Sequence, residues 1–264
     1  MFHRTSTLVA LLVAALLLVN AQLAVSADAP PLDKAFAALK TFDWGQDRSA
    51  LKPIDDAVVT SRADAAARKD LETRLLPLLA GDSPQCAKDF VCRKLSLIGT
   101  VQSVPALAKL LCDEKLSHMS RYALERIPCP EAVQAMREAL PKAGGVVKIG
   151  IINSLGVRRD AQAVPALVAL LGDANQPTAA AAAAALGAIG TTDAAKALND
   201  FRAKTPAGLK LAAADASLLC AERLRAEGKK AEAVAIYKAL STGDQPKHVK
   251  MAATRGMLSA AGGK

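Results

Sequence analysis

The chain has 264 residues, of which 57 are alanine and only 3% are aromatic, and its 34 Lys and Arg outnumber 25 Asp and Glu to give a formal charge of +9. A hydrophobic content of 52% excludes an intrinsically disordered chain, which lacks the apolar surface to offset its ordering entropy. The apolar residues are mostly Ala and Leu rather than Val, Ile and aromatics, so the composition argues against an all-β fold and for helices.

In chain order, the first segment reads as an export signal. Met1–Arg4 is a short basic start, Leu8–Val19 is an uninterrupted apolar run, and Val25, Ser26 and Ala27 place small side chains before Asp28. The run is too short to span a bilayer, which takes about 20 residues. Residues 1–27 are expected to be a signal peptide. The mature chain is then exported, periplasmic or extracellular, with no transmembrane segment.

Residues 28–70 read as an N-terminal helical cap, with helix over Leu32–Lys69 broken near Asp43–Gln46 and at Pro53. It holds the only tryptophan, Trp44, beside Phe42. The pair is expected to be an apolar anchor docking this segment onto the next; the alternative is an aromatic ligand platform.

Internal periodicity dominates residues 71–205. Val104-Pro105-Ala106-Leu107, Val133-Gln134-Ala135-Met136, Val164-Pro165-Ala166-Leu167 and Ala195-Lys196-Ala197-Leu198 recur at intervals of 29, 31 and 31 residues. Each continues with apolar residues on the same stripe: Leu110 and Leu111, Ala139 and Leu140, Leu170 and Leu171, and Phe201. Leu75, Leu78 and Leu79 form a weaker earlier copy. Partner helices are expected over Pro84–Ile98, Ser117–Ile127, Val146–Leu155 and Thr178–Ile189. Gly99, Gly156 and Gly190 are placed where a left-handed cap would end them. Asp160 and Asp193 sit where a carboxylate caps the following helix, and Pro105 and Pro165 fall in first turns. Residues 146–152 alone suggest a strand, but a solenoid supplies the packing that overrides propensity, so helix is expected.

The phrases LIGTVQSVPALAKLLCDE, SLGVRRDAQAVPALVALLGDA and ALGAIGTTDAAKALNDF resemble the short bacterial HEAT repeat, the type also found in phycobilisome-lyase-like proteins. SHMSRYALERIPCPEA likewise resembles exported bacterial HEAT-repeat proteins, except that Pro128 stands where the repeat has Gly. The resemblance covers about residues 71–205 and implies an all-α, right-handed α-solenoid of HEAT-like helix pairs.

After Pro206 the pattern changes. Leu218–Ala226 and Ala231–Leu240 with Tyr237 resemble a tetratricopeptide-like pair, followed by a helix near Pro246–Ala260, so residues 206–264 are expected to form a TPR-like C-terminal helical cap. From Lys196 to Lys264 there are 13 basic and six acidic residues, against 20 and 19 between Asp28 and Asp193. The basic end would attract an acidic partner or an anionic surface. Nucleic acid is not expected, because the basic residues lack interleaved aromatics and the chain is read as exported.

Of the five cysteines, Cys86, Cys92, Cys112 and Cys129 cluster, with no CxxC and no metal-ligand spacing to a histidine. Antiparallel pairing of helix 84–98 with helix 104–113 brings Cys112 level with Cys86 and Cys92; if a bridge forms, it joins Cys112 to one of those two. Cys220 reads as core. His118 and His248 lack the adjacent Glu of the di-iron hydroxylases built on this fold, and no GxSxG, GxGxxG or phosphate loop is present. No enzyme, metal or cofactor is expected.

The function that the resemblance implies is an exported scaffold or adaptor binding another protein through its concave surface, which the second helix of each pair lines. The contact positions would be Lys109 beside Ala108, Arg137 and Glu138, Val168 beside Ala169, and Asn199 and Asp200. The alternative is an enzyme subunit or lyase-like protein handling a cofactor or tetrapyrrole.

Overall fold

The computed structural model describes residues 31–242 and 244–262. The segment read as an export signal lies outside them. Among the described residues there are fourteen α-helices and no strand. They are α1 (Pro31–Leu39), α2 (Lys52–Thr60), α3 (Ala65–Ala80), α4 (Gln85–Ile98), α5 (Val104–Ala108), α6 (Ser117–Leu124), α7 (Pro130–Ala139), α8 (Gly145–Val157), α9 (Val164–Leu170), α10 (Gln176–Ile189), α11 (Thr192–Lys204), α12 (Lys210–Ala226), α13 (Lys230–Thr242) and α14 (Lys247–Ala261).

From α3 onward the helices alternate between two stacked rows. The first row is α4, α6, α8, α10, α12 and α14, each packed on the next. In the second, α3 packs on α5, α5 on α7, α9 on α11 and α11 on α13. One hydrophobic core, including Leu75, Leu107, Met136, Leu167 and Leu198, runs between the rows. The chain is therefore an α-solenoid, and its helices match the stripes read from the repeat. Helix α12 stacks on α10 as α10 does on α8, so the array passes Pro206 without a break.

Local chemistry fixes the ends. Asp64 accepts from the backbone N–H of Ala66 and Ala67, Asn175 from that of Thr178, and Asp160 from that of Gln162. Pro105 and Pro165 occupy first turns. The cap of α11 is Thr191, which accepts from Ala194, and not Asp193, which lies within the first turn. Residues 146–152 are helical within α8, packed between α6 and α10.

The glycines differ from their expected role. Of Gly99, Gly156 and Gly190, only Gly190 is left-handed, with φ +72°. Gly99 has φ −61°, and Gly156 lies inside α8. What both need is room: a Cβ on Gly99 would stand 2.5 Å from Leu95 O of its own helix and 2.9 Å from Ile127 Cδ1, and one on Gly156 2.9 Å from Ala185 Cα on α10. Gly156 is a contact glycine between stacked helices rather than a turn glycine, and Gly99 is confined both by its own helix end and by the next repeat.

Polar groups tie the turns to their neighbours. Glu72, buried on α3, accepts from Thr100 N at 2.8 Å and from Thr100 Oγ1 at 2.9 Å, which pins the loop before α5. Arg158 donates to the carbonyls of Ile127 at 2.6 Å and Cys129 at 3.3 Å, so the turn containing Pro128 is held by one guanidinium from the next repeat.

At the N-terminal end, Phe36, Leu39, Phe42, Leu51 and Ile54 are buried, and α2 packs on α3 and α4. The segment docks on the first repeat as expected, but Phe42 does so without Trp44, whose side chain is 69% exposed.

No bridge joins Cys112 to Cys86 or Cys92, the pairing expected if one formed: all five cysteines are free. The pairing assumed a helix reaching residue 113, whereas α5 ends at Ala108 and the chain turns. Cys112 is exposed, with its Sγ 3.9 Å from Ala139 O in the following repeat, while Cys86 and Cys92 are buried on α4.

Candidate functional site

The repeat register places Lys109, Arg137, Glu138, Val168, Asn199 and Asp200 at equivalent positions on second-row helices, and packing then separates them. Lys109 is exposed just beyond α5. Arg137 is held by Asp160, with its Nη1 2.7 Å from Oδ2 and 2.8 Å from Oδ1. The Asp160 side chain is 8% exposed, so Arg137 compensates a largely buried carboxylate and is structural rather than a free contact. Glu138 accepts from Gln134 Nε2 at 2.8 Å on its own helix face. Asn199 accepts from Arg202 Nη2 at 3.0 Å, beside the joint between α11 and α12.

Val168 and Asp200 come together. Both line a groove of ≈ 360 Å³ between α9 and α11, whose other walls include Leu171, Ala197, Phe201 and Lys204. Val168 is 37% exposed at its lip. Asp200 and Lys204 stand one turn apart on α11 without an ion pair between them. The groove thus offers an apolar floor flanked by one carboxylate and one ammonium. Phe201 escaped sequence reasoning because it sits on the core stripe, at the position of Leu110, Ala139 and Leu170. Its size was the available signal, since a ring reaches past the core where a smaller side chain does not.

Four of the five thiols are poorly suited to catalysis. Burial pushes Cys92 up to about 12 and Cys220 up to about 11, and it raises Cys86 and Cys129 as well, so these groups stay protonated and poorly nucleophilic. Among the described residues no three His, Cys, Asp or Glu side chains gather as a metal site, and no helix is long and apolar enough to cross a membrane.

Residues 144–217 match the family model of HEAT repeats. The match runs from the start of α8 into α12, beyond the boundary at residue 205 expected from the repeat. Among solved structures the chain is similar to an engineered protein, a target of the Northeast Structural Genomics Consortium, at 19% identity over 80% of this chain and 97% of that one, with a TM-score of 0.39. No curated protein matches the sequence.

Proposed function

We propose that this HEAT-repeat chain is an exported, non-catalytic scaffold that binds another protein through the exposed side of its second-row helices. HEAT repeats commonly mediate protein–protein interaction, and the observation that carries the reading is the groove between α9 and α11. Val168, Leu171, Ala197 and Phe201 can receive an apolar side chain, while Asp200 and Lys204 can pair with polar groups at its rim. The basic excess after Lys196 supports an acidic partner, whose affinity would then fall as salt rises.

A photo-crosslinking residue at Val168 tests the site in an envelope extract. The expected result is one protein adduct at position 168, none from the same residue at Ala184 on the first row, and loss of the adduct in Phe201→Asp. Adducts of equal yield at both positions, or none at position 168, would reject it. Export is tested separately: the chain recovered from cells should begin at Asp28, and an intact Met1 would reject cleavage.

A further inference from the structure

At the other end of the array, a loop and a helix enclose a second cavity, of ≈ 300 Å³. The loop between α1 and α2 is braced by its own polar groups. Trp44 N donates to Asp43 Oδ1 at 2.8 Å, Asp43 N donates to Gln46 Oε1 at 3.2 Å, and Gly45 takes φ +82°. This bracing holds the Trp44 indole at the cavity, largely in water, where burial would have gained several times the apolar area of an average residue.

The facing wall is α4, which contributes Asp89, Phe90 and Arg93. Asp and Arg one turn apart on a helix ordinarily pair, yet Asp89 and Arg93 form no ion pair, and Asp89 Oδ1 is buried with no hydrogen-bond partner. Burial raises the Asp89 carboxyl, offset in part by Arg93 and by His118 at the head of α6. The other guanidinium in the cavity, Arg48, is already engaged: its Nη2 lies 3.4 Å from Asp55 Oδ2 and its Cζ 5.4 Å from the Phe90 ring centre. The cavity therefore holds an unpaired acceptor and a guanidinium without an ion pair on α4, and the aromatic surface of Trp44 on the loop. A buried carboxylate oxygen without a partner is destabilising, and a ligand donor would satisfy it.

We propose that this cavity binds a free α-amino acid with an apolar side chain. The ammonium donates to Asp89, the carboxylate is taken by Arg93, and the side chain lies against the exposed indole of Trp44. A zwitterion matches both charges at once, whereas an anion would face Asp89 and a cation would face Arg93. The inference does not depend on protein binding at the Val168 groove, which lies at a different part of the array.

Trp44 is the only tryptophan, so its emission reports the site alone. Titration of the chain with L-leucine, N-acetyl-L-leucine and L-leucinamide should give a saturable change with L-leucine. Binding of the other two should be weaker by about tenfold or more, the factor expected for loss of one charge-assisted hydrogen bond. Asp89→Asn should remove most of the penalty for N-acetyl-L-leucine, and Arg93→Gln most of that for L-leucinamide. No saturable change with L-leucine overturns the proposal. So does equal binding of the three compounds, or selectivity that both variants leave intact.

Discussion

A Cβ on Gly187 would stand 2.5 Å from the carbonyl oxygen of Ala216, across the contact between α10 and α12. The backbones of these two helices touch with nothing between them, and Gly156 meets Ala185 in the same way one repeat earlier. Small residues are what let the first row stack so closely. Gly187→Ala must therefore part the helices, although it improves helix propensity. It should lower stability by about 1–3 kcal/mol, the usual cost of overpacking, read as a drop in the urea midpoint. Gly172→Ala, where a Cβ meets nothing within 4 Å, should leave the midpoint within about 0.5 kcal/mol of wild type. Equal effects of the two would reject the close-contact explanation.

Arg137 leads to a separation of stability from binding. Removing its guanidinium leaves the Asp160 carboxylate, 8% exposed, without its ion pair. Arg137→Leu should cost about 2 kcal/mol, as for other hydrogen bonds to charged groups, while a folded sample retains crosslinking at Val168. A variant that loses the adduct at full stability would return Arg137 to the contact surface.

The buried thiols imply sensitivity to alkali. Cys92 and Cys220 have folded-state values of about 12 and about 11, above that of a free thiol at about 8.5. A raised value contributes stability that is intact below the unfolded pKa and is lost as pH rises towards the folded one. Stability should fall from about pH 8.5 upward, by roughly 1–2 kcal/mol per thiol at pH 10. The fall should be shallower in the Cys92→Ala, Cys220→Ala double variant. Denaturant melts at pH 7 and pH 10 measure it, and equal slopes in the two proteins would exclude the thiols as the cause.

Thiol accessibility should follow the same pattern. Cys112 is exposed, whereas Cys86, Cys92 and Cys220 are buried. A thiol reagent added to the native chain should label Cys112 first and those three only after denaturation. Protection of Cys112 in the native state would restore the idea of a bridge there.

Trp44, in water at 69% exposure, should be quenched by acrylamide in the folded chain nearly as well as in urea. Strong protection would place the indole against the core after all.

Much of this architecture is legible because it is written in short-range chemistry. The stripe of Leu107 and Leu111 against Leu167 and Leu171, the prolines in first turns and the cap at Asp160 each depend on residues within a turn or two of one another. Those contacts are set by helix geometry, so the sequence by itself determined an all-helical array of pairs and its register through Leu198. Where a side chain goes when it leaves its own helix is another matter. The register could not tell that Arg137 turns to Asp160 while Val168 lines a groove together with Asp200, since both start from equivalent positions. Nor could it tell that Gly156 serves a neighbouring helix rather than its own end, that α5 stops short of Cys112, or that Phe42 is buried while Trp44 stays in water. Each of these outcomes depends on the distance to a residue some 20 or more positions away, or on a turn whose length the repeat does not encode. Only the packed tertiary structure decides that distance, and with it which groups are paired and which stay open to a ligand.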